Sequence, residues 1–181
     1  NGTVSAYAWA PLGDITANQF RALAAIQREF DAGVRLTNRQ NLVFRDLTDD
    51  RLPALFERLD AIGMAAAGAE LSRDVVACPG ADTCNLAVTQ SRGLAKAIGD
   101  RLEEEGLAEV GGVRINISGC TNSCGQHHAS DIGFFGAERR ANGRSAPGYQ
   151  MLLGGYVGEE QIYFGEKALR LPAKNAAMEA V

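Results

Sequence analysis

Four cysteines are the residues of this sequence best suited to chemistry. Cys78 and Cys84 are separated by five residues, and Cys120 and Cys124 by three. Neighbouring prolines and glycines predict two loops that can bend around a bulky group. A cubane iron–sulfur cluster takes one thiolate at each of its irons and tolerates irregular ligand spacing, because its corners lie several ångströms apart. The two pairs therefore indicate a 4Fe–4S cluster.

Other uses of four cysteines fit this spacing less well. A structural zinc site gathers its ligands around one ion and typically takes them from pairs about two to four residues apart. The gap between Cys78 and Cys84 is wider, and the two-residue gaps of bacterial ferredoxins are absent. A structural zinc module and a set of four buried structural thiols remain as alternative hypotheses.

Composition and charge narrow the possible partners of the protein and the possible uses of its cysteines. The 181 residues carry a net charge of −4, with 18 basic and 22 acidic residues interleaved. This pattern gives no footprint for nucleic acid or for a membrane surface. The default compartment is the cytoplasm, where thiols stay reduced, and this favours metal ligation over disulfides. The sequence begins without methionine and ends abruptly, so we expect a fragment of a longer protein.

The first seventy residues predict a strand, a helix, two strands and a second helix. The first helix should begin at a capping box formed by Thr16 and Gln19 and end at Gly33. Two strands should flank a polar turn at residues 37–41, and the second helix should end near Gly63. Apolar residues at helical spacing predict the buried face of each helix: Phe20, Leu23, Ile26 and Phe30 in the first, and Leu52, Leu55, Phe56 and Leu59 in the second.

The rest of the chain predicts a mixed arrangement around the cysteines. A long helix carrying Leu86, Leu94, Ile98 and Leu102 should end at Gly106. Alternating Val113, Ile115 and Ile117 predict a strand that leads into the second cysteine pair. Further strands should lie at residues 132–134 and 149–153, on either side of a loop with Gly143 and Gly148, and a helix should begin at Pro172.

The cysteine segments carry a family resemblance. Residues 76–87 (VACPGADTCNLA) and 117–125 (ISGCTNSCG) closely resemble the paired signature of the sirohaem and 4Fe–4S sulfite and nitrite reductase haemoproteins. Residues 34–42 (VRLTNRQNL) are similar to a stretch on the sirohaem side of that family, and residues 149–155 (YQMLLGG) resemble its late strand. The resemblance covers nearly the whole chain.

The resemblance implies an α+β fold in two parts. Residues 1–70 would form a ferredoxin-like half-module, packed on a mixed α/β domain of residues 71–181 that binds the 4Fe–4S cluster and sirohaem. It also implies that Cys78, Cys84, Cys120 and Cys124 ligate the cluster. Cys124 would in addition bridge to the sirohaem iron, which makes it the catalytic residue.

The same resemblance suggests residues that contact sirohaem. By matching position these are Gln40 and Asn41 in the polar turn and Asn122 between the second pair of cysteines. Arg39 would suit a sirohaem carboxylate or the substrate anion, because guanidinium pairs bidentately with carboxylates; a solvated turn residue is the alternative. Four cysteines satisfy a cluster, so we expect His127 and His128 to pack beside the site rather than to ligate it.

The implied activity is the six-electron reduction of sulfite to sulfide or of nitrite to ammonia. Electrons would come from a ferredoxin or a flavoprotein, and much of the anion pocket would belong to an N-terminal half of the same enzyme that this sequence lacks. Neither nucleic acid nor a membrane is an expected partner. The alternatives are a cluster-only electron-relay or binding module, and a fragment that is inactive without the anion-binding half.

Overall fold

The computed structural model describes residues 2–141 and 143–181, which form two compact units divided between Ala69 and Glu70. Each unit has its own sheet and its own buried core. No helix within the described residues combines the length and the apolar character needed to cross a membrane. The architecture is mixed α and β, as the sequence predicts.

The first unit is a three-stranded antiparallel sheet with two helices. The sheet order is β1-β3-β2, so the two strands flanking the polar turn are neighbours and β3 is central. The order of elements agrees with the sequence prediction. Their bounds are β1 (Val4–Ala8), α1 (Ala17–Phe30), β2 (Gly33–Leu36), β3 (Leu42–Leu47) and α2 (Leu52–Asp60).

Helix α1 begins at the predicted capping box. The Gln19 amide N–H donates to the Thr16 hydroxyl at 3.2 Å, and the Thr16 amide N–H donates to the Gln19 side chain at 3.0 Å. The predicted stop at Gly33 is wrong. The chain leaves the helix at Asp31, which takes the left-handed conformation (φ 45°), and Gly33 already begins β2.

The predicted buried faces of the two helices are each one residue too wide. Phe20 is 60% exposed and Phe56 is 56% exposed. At about 100° per residue, each lies roughly 80–90° away from the middle of its helix's buried stripe, so the core is reached only by the others. The buried helical residues are Leu23, Ile26 and Phe30 in α1 and Leu55 and Leu59 in α2.

The second unit is built on a five-stranded mixed sheet in the order β10-β7-β6-β5-β4. Strands β4, β5 and β6 are parallel, and β6, β7 and β10 are antiparallel. A separate two-stranded ribbon joins β8 to β9. The bounds are β4 (Val76–Ala77), α3 (Ser91–Glu104), β5 (Ile115–Ser118), β6 (Ile132–Ala141), β7 (Arg144–Leu153), β8 (Tyr156–Val157), β9 (Ile162–Tyr163) and β10 (Glu166–Pro172).

Three predictions for this unit need correction. Leu86 lies outside α3 and is exposed, because the amides of Val88 and Thr89 bond to the second cysteine loop and delay the start of the helix. Gly148 lies within β7, paired with Ala137, rather than in a loop. Asn142, which belongs to the same predicted loop, is outside the described residues. The chain from residue 166 to Pro172 is strand β10, and only a single 3-10 turn follows.

Candidate iron–sulfur cluster site

The two cysteine pairs lie at one edge of the sheet in the second unit. Cys78 follows directly after β4, and Cys120 lies two residues beyond the end of β5. These strands are parallel neighbours, with Ala77 opposite Ile117, so their carboxyl ends meet. The amide of Cys78 extends the pairing by donating to the Ile117 carbonyl at 3.1 Å.

The first loop, residues 78–90, is closed by a serine at the start of α3. The Ser91 hydroxyl is fully buried and donates to the Cys78 carbonyl at 2.6 Å. Gly80 has a φ of +61°, and a Cβ there would lie 2.6 Å from the Ser91 amide nitrogen. The Gly80 carbonyl in turn accepts the amide of Cys84 at 3.0 Å. Only glycine allows this turn to place Cys84.

The two loops are bonded to each other through Gly119. Its carbonyl accepts the amides of Val88 and Thr89 at 2.9 and 3.3 Å. Its amide donates to the Cys78 sulfur at 3.1 Å. Hydrogen bonds to cysteine sulfur are one of the means by which a protein sets the potential of an iron–sulfur cluster. The loop of the second pair thus supplies a sulfur hydrogen bond to the first.

The second loop, residues 119–126, folds back on the end of β5. Ser123 and Gln126 both take the left-handed conformation, and the Gln126 amide donates to the Ser123 carbonyl at 2.7 Å. Gly125 donates its amide to the Ser118 hydroxyl at 3.0 Å. A Cβ on Gly125 would lie 2.1 Å from the Ile117 carbonyl oxygen, so this position admits only glycine.

The donor set at this edge fits an iron–sulfur cluster. All four cysteines are free thiols, and their exposure increases from buried Cys78, through half-buried Cys84 and Cys120, to exposed Cys124. Among residues 2–141 and 143–181, no three His, Cys, Asp or Glu side chains meet closely enough to hold a single metal ion. Soft thiolates from two adjoining loops suit an iron–sulfur cluster, whose corners lie several ångströms apart.

Two family models match this chain. Residues 1–62 match the nitrite/sulfite reductase ferredoxin-like half domain, and residues 68–164 match the nitrite and sulphite reductase 4Fe–4S domain. The second match covers both cysteine loops and more than half of the chain. The chain belongs to the nitrite and sulfite reductase family. Membership of this oxidoreductase family implies the two cofactors predicted above, a 4Fe–4S cluster and sirohaem.

Individual relatives agree with this assignment. The chain is 38% identical over 160 residues to a ferredoxin–nitrite reductase of Synechococcus elongatus, covering 88% of this chain and 31% of the relative. It is 34% identical over 140 residues to a sulfite reductase (ferredoxin) of Mycolicibacterium paratuberculosis, covering 74% of this chain and 25% of that relative. The chain thus spans a third or less of the length of either relative.

Solved structures share the fold. The NirA protein of Mycobacterium tuberculosis has a TM-score of 0.81 at 27% identity, over 96% of this chain and 33% of that one. A dissimilatory sulfite reductase has a TM-score of 0.74, over 93% of this chain and 58% of that one. Its sequence identity is 10%, so it supports the fold alone. The reductase fold therefore extends over both units of the chain.

The predicted sirohaem contacts of this reductase-family chain lie in different places. Asn122 is exposed in the second loop, between Cys120 and Cys124. Arg39, Gln40 and Asn41 belong to the first unit, in the turn between β2 and β3. The structure thus brings the four cysteines and Asn122 to one sheet edge and places the other three predicted residues in a different unit.

The turn at residues 37–41 is more ordered than a solvated loop. Arg39 is only 8% exposed, so the alternative of a solvated turn residue is wrong. Gln40 takes the left-handed conformation (φ 66°). Asn41 is fully buried, and its side-chain oxygen accepts the Ala10 amide at 3.0 Å. Asn41 therefore has a structural task within its own unit, and its contact with sirohaem stays a prediction.

Sequence reasoning gave little weight to one buried pair beside the second loop. His127 is fully buried, its ring Nδ1 lies 2.8 Å from the Ser118 hydroxyl, and its ring packs against those of His128 and Phe135. Burial, helped by the neighbouring His128, lowers the pKa of His127 to about 4. Only a polar residue at the end of an apolar strand, Ser118 after Ile117, could have signalled the partner.

Proposed function

We propose that this chain carries the coupled 4Fe–4S and sirohaem centre of an enzyme that reduces sulfite to sulfide or nitrite to ammonia. The observation that carries the proposal is the meeting of two cysteine loops at the carboxyl ends of adjacent parallel strands. When bound, the two cofactors pass six electrons to the anion, which takes up protons and releases its oxygen as water. Relatives of both kinds support both substrates.

Each cysteine has a proposed role. Cys78, Cys84 and Cys120 would each hold one iron of the cluster, and Cys124 would be shared with the sirohaem iron. The burial of the thiols supports this division, because the most exposed sulfur is the one that a second cofactor could reach. Arg39 would pair with a sirohaem carboxylate or the substrate anion, and Gln40, Asn41 and Asn122 would contact sirohaem.

The test begins with an anaerobic visible spectrum together with iron, sulfide and sirohaem content. The proposal expects sirohaem bands and about four irons per chain. Cys78→Ser should chiefly damage the cluster, because it removes a ligand from the buried side of the site. Cys124→Ser should remove the coupling of the two cofactors. Identical spectra for the wild type and Cys124→Ser would refute the bridging role.

A cluster-only electron-relay module is the second candidate, and the exposed Asn122 separates the two. Asn122→Ala should reduce the sirohaem bands if the chain binds sirohaem. Asn85→Ala is the matched control, since Asn85 is an exposed asparagine in the first loop with no predicted sirohaem contact. An unchanged visible spectrum in both Asn122→Ala and Gln40→Ala would favour the relay module.

The electron donor is proposed to be a ferredoxin with acidic side chains on its docking face. Four exposed arginines gather on β6, β7 and β10, although the chain as a whole is acidic: Arg139, Arg140, Arg144 and Arg170. Grooves that share Glu138, Pro147 and Val88 connect them to Ala81 in the first cysteine loop.

A charge reversal tests this donor surface. The double variant Arg139→Glu/Arg140→Glu should weaken binding of reduced ferredoxin about tenfold or more at low salt, and the difference should shrink at high salt because screening removes the attraction. Arg21→Glu, an exposed site on α1, is the control. Equal binding by both variants would argue for another docking surface.

A further inference from the structure

A buried hydrogen-bonded chain connects the second cysteine loop to His127. The Ser118 hydroxyl, 1% exposed, lies between two groups. The Gly125 amide donates to it at 3.0 Å, and the Nδ1 atom of His127 lies 2.8 Å from it. The hydroxyl has no other hydrogen-bond partner in the part of the protein that the structure describes. One serine oxygen therefore holds both the Gly125 peptide and the His127 ring.

The Gly125 N–H is a donor, so it occupies one of the two lone pairs of the Ser118 oxygen. The 2.8 Å contact with Nδ1 of His127 fits either tautomer of the imidazole. We assign the serine O–H as the donor to Nδ1, because this buried hydroxyl has no other acceptor within residues 2–141 and 143–181. His127 is accordingly neutral, with its own proton on Nε2. This agrees with its pKa of about 4. Within residues 2–141 and 143–181, the buried Nε2 has no hydrogen-bond partner.

The hydrogen bonds between Gly125, Ser118 and His127 act on Cys124 through the backbone. The N–H that bonds to Ser118 belongs to the peptide directly after Cys124, and the Gly125 backbone lies against the Ile117 carbonyl. The Cys124 side chain is exposed, so packing does little to fix its thiol. The direction in which this thiol points depends mainly on how well its peptide is held.

We propose that Ser118 and His127 are positioning residues that aim the Cys124 thiolate at the cluster. The serine holds the peptide after Cys124, and the imidazole holds the serine hydroxyl in the rotamer that accepts the Gly125 amide. The proposal rests on the role of Cys124 as a cluster ligand. It assigns His127 neither metal ligation nor proton transfer.

Substitutions of His127 that replace one ring nitrogen at a time by a side-chain amide separate a positioning role from simple packing. Asparagine places an amide near the Nδ1 position, whereas glutamine places it near Nε2. His127→Asn should therefore keep the contact with Ser118 and hold the cluster nearly as long as the wild type does. His127→Gln and His127→Leu should lose the cluster to a chelator about tenfold faster, the effect of one lost buried hydrogen bond. His128→Asn is the matched control, since its ring stacks on those of His127 and Phe164 and takes no part in the contact with Ser118.

A double-mutant cycle and two spectroscopic measurements complete the test. Ser118→Ala should lose the cluster at the same rate as His127→Leu. The double variant should lose it no faster than either single variant, because all three break the same set of hydrogen bonds. The EPR signal of the reduced cluster should change in Ser118→Ala and His127→Gln but not in His127→Asn. Nitrogen-15 NMR of the apo protein should show the proton of His127 on Nε2.

The outcomes distinguish this inference from the proposed function. If Cys124→Ala, which has no donor atom, keeps a full cluster, Cys124 is not a ligand, and the proposed function and the positioning role both fail. If Cys124→Ala loses the cluster while His127→Asn and His127→Gln behave alike, only the positioning role fails. A proton found on Nδ1 of His127 would also overturn it, whatever the cluster content.

Discussion

The two cysteine loops are held in opposite ways. In the first loop the protein fixes a thiol: Cys78 is buried, and its sulfur accepts the Gly119 amide at 3.1 Å. In the second loop it fixes a backbone: Gly125 is bonded to Ser118, while the thiol of Cys124 remains exposed. The first loop thus encloses its thiol, and the second leaves its thiol exposed to solvent.

The difference matches the tasks proposed for the two loops. A thiolate that serves the cluster alone benefits from burial and from N–H donors, which tune its potential. A thiolate shared with a second cofactor must stay accessible to that cofactor, so its direction must be set by the hydrogen bonds of its own backbone and not by packing around the sulfur. Experiments that disturb each loop separately can show whether this contrast is real.

The largest effect is expected from Gly125→Ala in the second loop. A Cβ there would lie 2.1 Å from the Ile117 carbonyl oxygen, which belongs to strand β5, paired with β4 on one side and β6 on the other, and cannot move aside. We expect the free energy of unfolding of the second unit to fall by roughly 3 kcal/mol or more. Cluster incorporation should fail as well. Urea denaturation and iron content measure both.

Gly99→Ala is the matched control for this substitution. Gly99 lies within α3, where an added Cβ would meet no atom within 4 Å. Alanine is the better helix former, so this variant should gain about 0.5–1 kcal/mol. A Gly125→Ala protein as stable as the wild type would show that the second loop is looser than its contacts imply.

An intermediate effect is expected from acid, because the second loop depends on a histidine with a shifted pKa. The pKa of His127 falls from its ordinary 6.5 to about 4 in the folded protein. Between these values the unfolded chain binds more protons, so the unfolding free energy decreases as the pH falls from about 6.5 towards 4. The loss attributable to this one group is about 2 kcal/mol at pH 5.

His127→Asn isolates that contribution, since asparagine does not titrate. Urea denaturation of the apo protein at pH 7, 6 and 5 should give a steeper loss of stability for the wild type than for the variant. Carboxylates titrate in both proteins and cancel in the difference. Parallel slopes for the two proteins would mean that the imidazole is not buried as the structure places it.

The cysteine site could be predicted from the sequence because its information is local. Two short signatures contain all four cysteines, and the strand leading into each is visible as an apolar run. The capping box of α1 was equally local and is confirmed. The residues of each signature, and those of the capping box, lie within about a dozen positions of one another.

The contacts that join distant segments could not be predicted. Gly119 is held by the amides of Val88 and Thr89, about thirty positions earlier, and that bonding moved the start of α3 away from the predicted Leu86. Arg39 is only 8% exposed, which the local sequence of the polar turn does not indicate. Strand β10 has few apolar residues facing one side, because it lies at the sheet edge, and the sequence pattern therefore missed it.

The smallest effect is expected from Ser91→Ala in the first loop, the counterpart of Ser118→Ala in the second. The Ser91 oxygen lies 2.6 Å from the Cys78 carbonyl and 3.4 Å from the Cys78 sulfur, so its single proton goes to the carbonyl. Its removal leaves a buried carbonyl without that donor, at a cost of about 1–2 kcal/mol in unfolding free energy.

The Cys78 sulfur keeps its bond from Gly119 in this variant, so the EPR signal of the reduced cluster should be unchanged. Ser5→Ala, at an exposed position of β1, controls for the loss of a hydroxyl and should cost nothing measurable. Here the contrast between the loops is sharpest: Ser91→Ala should lower stability and spare the spectrum, whereas Ser118→Ala should change the spectrum. A shifted EPR signal in Ser91→Ala would mean that the first serine also acts on its thiolate, and the two loops would then differ in exposure only.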